Sequence, residues 1–167
     1  MERQNYYRQF VRNQIETYFS ERIDLTKAAE SILPEVQIDL FFEIPKEKLT
    51  YASESPFPYL KEANLVHIKA VNDHLTPLDV LQYLGELYVK ASTNDLVKKQ
   101  SIALTIVSAE EVPESVFKES YHPRERTEIP WIDQIKASYP AYLFTMERLP
   151  AEEKYYEFLP FMPLKAI

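Results

Sequence analysis

Apolar residues return along this chain in two rhythms. From about Asn5 to Ile32 the step is three and four: Phe10, Val11, Ile15, Tyr18 and Phe19 make one stripe, with charged residues on the other side. That spacing predicts an amphipathic helix. Asp24-Leu-Thr interrupts it and starts a second helix through Lys27-Ala-Ala-Glu-Ser, and Pro34 ends helical structure. The rhythm then changes to two. Val36, Ile38, Leu40, Phe42 and Ile44 point one way, and Gln37, Asp39, Phe41 and Glu43 the other, which predicts a strand stopped by Pro45.

The stretch from Lys46 to Glu62 is polar and punctuated by prolines. It reads as turns and an irregular connection, with Leu49-Thr-Tyr-Ala as a candidate short strand. Leu65 to Val71 is the second clear strand, and Asn72-Asp-His the turn after it. Thr76-Pro-Leu-Asp has the marks of a helix start: Thr76 can accept from the third amide, Pro77 suits the first position, and Asp79 closes a capping box. Leu78, Leu81, Leu84, Leu87 and Tyr88 give that helix an apolar face through Ala91. Gly85 falls inside it, at a cost of about 1 kcal/mol against alanine. A close approach to a neighbouring strand would account for it.

Ser101 to Ser108 is nearly all apolar, which predicts a central strand covered on both faces. Ala109 to Phe117 leads into a turn and a short helix. Tyr121 to Pro130, charged and twice interrupted by proline, reads as a surface loop. Trp131-Ile and Ala141-Tyr-Leu-Phe-Thr-Met supply one or two further strands. Leu149 to Leu159 starts a helix with an aromatic face, and the apolar tail Pro160-Phe-Met-Pro-Leu docks on the body. The expectation is one α/β domain over residues 1–167, with helices packed on a mixed sheet.

Composition narrows the chemistry. The only glycine among 167 residues is Gly85, so neither a GxxxxGK[ST] nor a GxGxxG phosphate loop exists here. There are no cysteines, which removes disulfides and thiolate chemistry and fits a reducing compartment. The net charge of −7 makes a poor non-specific nucleic-acid binder, although it leaves room for a local basic patch. The first residues lack the apolar stretch of a secretory signal, and no apolar run approaches the roughly 20 residues of a membrane span. A cytoplasmic protein with no membrane association is the expectation.

Chemistry concentrates where the two early strands meet. Val36–Ile44 carries Asp39 and Glu43 on one face, and Asn64–Val71 carries His67 and Lys69 on one face. An acid on one strand, with a second acid two residues before a lysine on the next, is a metal-nuclease arrangement. The carboxylates hold Mg²⁺ through hard oxygens, and the lysine positions or activates the attacking water. Ile38-Asp-Leu-Phe-Phe-Glu-Ile-Pro, Leu65-Val-His-Ile-Lys, Leu81-Gln-Tyr-Leu-Gly-Glu-Leu-Tyr, Ile102-Ala-Leu-Thr-Ile-Val and Tyr142-Leu-Phe-Thr-Met-Glu-Arg-Leu-Pro-Ala-Glu-Glu follow in that order. Together, over about residues 6 to 160, they resemble the PD-(D/E)XK nuclease superfamily, and within it the Rpn-type, transposase-associated branch found in bacteria.

The resemblance implies a restriction-endonuclease-like mixed β-sheet flanked by helices, a Mg or Mn cofactor, and DNA as substrate. It puts Asp39 in the place of the first acid and Lys69 in the place of the lysine, both as catalytic residues. His67 stands where the second acid belongs. A neutral imidazole suits Zn or Mn better than Mg and removes a negative charge from a hard-cation site. The implied metal set is Asp39 and His67, with Glu43 as the substitute carboxylate; Glu16 or Glu21 of the first helix are further candidates. Gln82 and Tyr88 take the supporting, substrate-binding positions. Three functions follow as expectations. One is a catalytically degenerate nuclease-fold protein serving as an interaction or assembly module, in the form of a homodimer. Another is an active Mg/Mn-dependent deoxyribonuclease with a rearranged site. The last is an acidic protein-interaction module unrelated to nucleases, using Tyr155-Tyr-Glu-Phe and Pro160-Phe-Met-Pro as its surface.

Overall fold

A computed structural model describes residues 2–22, 26–27, 39–93, 101–152 and 155. The opening stripe folds as α1 (Glu2–Ser20). Val11, Ile15, Tyr18 and Phe19 are buried, but Phe10 is 44% exposed. Its position explains this: it lies about 100° round the helix from Val11, at the margin of the stripe. Thr26–Lys27 is not helical. It is a two-residue strand, β1, paired antiparallel with Phe42 and Glu43 of β2 (Leu40–Glu43). Here a sheet edge in need of hydrogen bonds overrides local helix preference. The remainder of the second helix expected there lies outside the described residues, as does Val36–Ile38.

After Pro45 the chain turns through a 3₁₀ helix (Lys46–Lys48) into α2 (Leu49–Ser53), so the candidate strand at Leu49–Ala52 is helical instead. Ala52 alone of α2 is buried, which is why no apolar rhythm announced it. β3 (Ala63–Lys69) pairs antiparallel with β2. α3 (Pro77–Thr93) then carries the chain over to β4 (Ile102–Ser108), which lies parallel to β3. The capping box forms as read: the Asp79 amide donates to Thr76 Oγ1 at 3.1 Å, and the Thr76 amide donates to Asp79 Oδ2 at 2.8 Å.

Beyond β4 come α4 (Glu114–Glu119), β5 (Arg124–Arg126), β6 (Ile132–Ile135) and β7 (Ala141–Thr145). The stretch expected to be a loop therefore contributes an edge strand. Its pattern hid it, because all three residues of β5 are charged. Arg124 reaches Glu114 at 2.9 Å and the fully buried Asp133 at 3.6 Å, and Arg148 grips Asp133 at 3.0 and 3.2 Å. Charge along an edge strand also discourages pairing with other chains.

The sheet order is β1-β2-β3-β4-β7-β6-β5, with β3, β4 and β7 parallel at the centre and antiparallel strands on both sides. All seven residues of β4 are buried, as expected of a central strand. α1 covers one face, over Leu40, Phe42, Val66, Ile68, Val107 and Phe144, with Phe19 stacked 5.7 Å from Phe42. α3 and α4 cover the other, over Phe41, Leu65, Leu104, Ile106 and Leu143. The fold is thus a mixed α/β domain with helices on both faces of a mixed sheet. Tyr155 is buried against Trp131, ring centroids 5.3 Å apart, and is therefore core and not an open surface. Residues 156–167, including the tail, lie outside the described residues. Among those described, no helix is long and apolar enough to cross a membrane.

Candidate functional site

The alternation of β3 sorts its side chains by face. Val66 and Ile68 go under α1, while Leu65, His67 and Lys69 go toward α3. The register Leu40↔Val66 continues one step outward to set Asp39 across from His67. Asp39, His67 and Lys69 therefore meet at the carboxyl end of β3. Asp79 and Tyr83, one helical turn apart on α3, close the corner from above, and Arg8 reaches in from α1.

His67 is 1% exposed. Its ring lies flat on Tyr83, centroids 3.7 Å apart and planes within 7°. Among the described residues, both buried ring nitrogens have no hydrogen-bond partner, and Nδ1 stands 3.9 Å from Asp39 Oδ2, too far to bond. Burial, reinforced by the positive charges of Lys69 and Arg8, pushes the imidazole down to about 3. It is neutral at physiological pH, so the Asp39–His67 contact is not an ion pair.

Asp39 Oδ2 accepts the Ile68 amide at 2.8 Å. Burial raises its carboxyl above the usual range, against the pull of that amide, Arg8 and Lys69. The Lys69 ammonium is committed elsewhere: its Nζ lies 3.0 Å from Asp79 Oδ2 and 3.5 Å from Asp73 Oδ1. Arg8 pairs with the other oxygen of Asp73. Burial pushes Asp79 up, but the Thr76 amide and Lys69 outweigh it, and the carboxyl falls below its ordinary value. Two cations and two carboxylates thus form a partly buried network beside Asp39, and the lysine is neither free nor aimed at Asp39. Such networks hold geometry because loss of one partner strands a buried charge.

The structure separates the remaining expected site residues from this corner. Glu43 pairs with Ala63 at the far end of β3, four residues and about 13 Å from His67 along the strand. It does not share an ion with Asp39. Glu16 accepts from Arg12 Nε at 3.1 Å, two turns of α1 beyond Arg8, and Glu21 sits on the surface beside Arg22. Gln82 is half-buried next to Tyr83. Tyr88 points to the opposite end of the sheet, where its hydroxyl accepts the Ser138 amide at 3.3 Å and its ring tilts on Tyr139. Among the described residues, no three His, Asp or Glu side chains converge in a way that could hold a metal ion. Asp39 and His67 alone offer one buried carboxylate and one buried imidazole, a donor pair that does not suit Mg²⁺.

Sequence reading missed Arg8, Asp73 and Tyr83, and it saw Asp79 only as a cap. Tyr83 carried a signal, since it follows Asp79 by four on a helix that starts right after the lysine strand. Arg8 carried none, because its role depends on how α1 crosses the sheet. No family model, curated protein or solved structure matches this chain.

Proposed function

We propose that this chain is a catalytically degenerate nuclease-fold protein of the PD-(D/E)XK type, whose acid–lysine corner now serves structure. Two features support the fold half of this reading: the helix, strand, strand, helix, strand order, and the meeting of Asp39, position 67 and Lys69 at one strand end. The observation that carries the functional half is the state of the corner. Position 67 holds a neutral imidazole stacked on Tyr83, and Lys69 is consumed by Asp79 and Asp73.

A hydrolytic site of this kind needs a second carboxylate to hold a Mg²⁺ or Mn²⁺ ion and a lysine near the attacking water. Among the described residues, no side chain at this corner supplies that second carboxylate, and Lys69 is held by Asp79 and Asp73. What the corner does is tie α1, β3, the following turn and α3 together through Arg8, Asp73, Lys69 and Asp79. The protein then acts by binding, as an assembly module.

The test is DNA cleavage by the purified protein with Mg²⁺ or Mn²⁺, on supercoiled and linear substrates. No cleavage above the level of an Asp39→Ala variant is expected. Cleavage by the wild type that Asp39→Ala and Lys69→Ala both abolish overturns the reading in favour of an active metal-dependent deoxyribonuclease.

A further inference from the structure

The α1 face of the sheet also carries a cleft of about 380 Å³. It is lined by Pro58 and Tyr59 ahead of β3, by the Thr127–Ile129 stretch of the β5–β6 loop, and by Ile132 and Tyr142 of the sheet. Local hydrogen bonds hold both walls. Thr127 Oγ1 accepts the Ile129 amide at 3.1 Å and donates to the Ile132 carbonyl at 2.7 Å, which closes the β5–β6 loop on itself. Across from it, Ser55 Oγ accepts the Phe57 amide at 3.0 Å, and Trp131 Nε1 donates to the Pro56 carbonyl at 3.0 Å, tying the two walls together. The Tyr59 ring stacks on Tyr142, centroids 4.0 Å apart, with its hydroxyl buried beside Thr105. A cleft fixed in this way gives up little further freedom when it is filled.

The lining is apolar and aromatic except at one point. Thr127 spends its hydroxyl inside the loop, and Glu128 is the only charged side chain in the lining. Glu128 is exposed, and among the described residues its carboxylate makes no hydrogen bond or ion pair. The nearest cations in sequence are engaged elsewhere. Lys136 Nζ lies 2.6 Å from Glu125, and Arg126 turns to Asp133. The cleft thus offers one free negative charge beside two tyrosine rings, with no positive charge in its lining. Aromatic ring faces reinforce that preference, because they attract cations. Size limits the occupant: a cavity of about 150 Å³ accepts a benzene molecule, so this cleft has room for one ring and a short chain.

We propose that this cleft binds a small organic cation, an ammonium group on a short chain carried by a single aromatic ring. The ring packs among Tyr59, Tyr142, Ile129 and Ile132, and the ammonium pairs with Glu128. Charge selects this occupant. A neutral ligand leaves Glu128 without a partner. A carboxylate meets the one charge of the lining with its own sign, on a chain of net charge −7. A ligand of about nine non-hydrogen atoms held by an apolar cleft and one exposed ion pair binds with a Kd on the order of 1 mM. The proposal does not rest on the nuclease reading, since Ile132 and Tyr142 lie on the α1 face of the sheet and the acid–lysine corner lies toward α3.

NMR titration of the full chain, with isotope-labelled isoleucine methyl groups, tests it. Phenethylammonium should shift the Ile129 and Ile132 methyls saturably and leave that of Ile106, packed on the opposite face of the sheet, unmoved. Phenethyl alcohol and phenylpropionate present the same ring with a neutral and a negative end. The alcohol should bind about two- to fivefold more weakly, the size of one exposed ion pair, and the carboxylate more weakly still. Because Glu128 is exposed and unpaired, its variants keep the fold. Glu128→Gln should lower the affinity for the ammonium to that for the alcohol, and Glu128→Lys should make the carboxylate the tightest of the three. A wild type whose Ile129 and Ile132 methyls show no saturable shift with the ammonium overturns the proposal. So does any other order of affinity among the three ligands, or an ammonium affinity that Glu128→Gln leaves unchanged.

Discussion

His67→Leu should make the protein more stable, and increasingly so as the pH falls. At neutral pH the wild type buries an imidazole whose two nitrogens have no hydrogen-bond partner among the described residues. Each unpartnered buried polar atom costs about 1–3 kcal/mol. Leucine removes that cost, keeps a similar volume, and gives up a stacked pair with Tyr83 worth about 0.5–1.5 kcal/mol. Two such nitrogens less the stack leave a net gain of about 0.5–5 kcal/mol, or roughly 1–20 °C in melting temperature for a domain of this size. The pH dependence is sharper. The folded-state value of His67 is about 3, below its ordinary 6.5. Between those limits the unfolded chain binds a proton on His67 that the folded chain does not. Wild-type stability therefore falls by about 1.4 kcal/mol per pH unit as the pH drops from 6.5, approaching at most about 5 kcal/mol near pH 3. Above about pH 7 the residue contributes no slope. Urea unfolding of both proteins from pH 8 to pH 4 measures the difference, and titrations common to both cancel. The gap should be flat above pH 7 and widen below 6.5. A variant less stable than wild type at pH 7, or a gap that does not widen, refutes a neutral, unpartnered imidazole.

Three further perturbations follow. Asp79→Ala removes both the α3 cap and the nearer partner of Lys69, which keeps Asp73, and should cost about 2–4 kcal/mol in chemical denaturation; the double variant Asp79→Ala, Lys69→Met should recover part of that loss, because no under-paired buried ammonium then remains. Arg148→Ala should cost about 1.5–3 kcal/mol, because the fully buried Asp133 loses its hydrogen-bonded guanidinium but keeps Arg124 and Arg126 within 3.6 Å. Tyr121 holds a left-handed φ of 60° just past α4 with its side chain 90% exposed, so Tyr121→Gly should raise stability by about 0.5–1 kcal/mol.

The parts of the fold that could be read in advance were those whose physics is local. The α1 stripe, β3, the Thr76–Asp79 cap and the nearly all-apolar β4 each announced themselves by period or by a side chain within four residues. What stayed hidden depended on partners distant in sequence. Thr26–Lys27 is a strand because β2 offers an edge, and β5 is a strand because Arg124 and Arg126 find Asp133. The candidate site divides in the same way. Asp39, His67 and Lys69 could be placed together from strand alternation. Glu43 shares the face of Asp39 yet runs away along the strand, since a common face does not imply a common end. The capture of Lys69 by Asp73 and Asp79, and the arrival of Arg8, required the three-dimensional path of α1 and α3.

The closed state of the acid–lysine corner is tested most directly by its response to a divalent ion. Thermal unfolding is followed while Mn²⁺ is raised through the millimolar range, with Asp39→Asn as the control. A corner that holds no ion predicts the same melting temperature at every concentration for both proteins. A saturable rise in the wild type that Asp39→Asn abolishes would contradict it, because an ion bound to the folded state alone must stabilise that state.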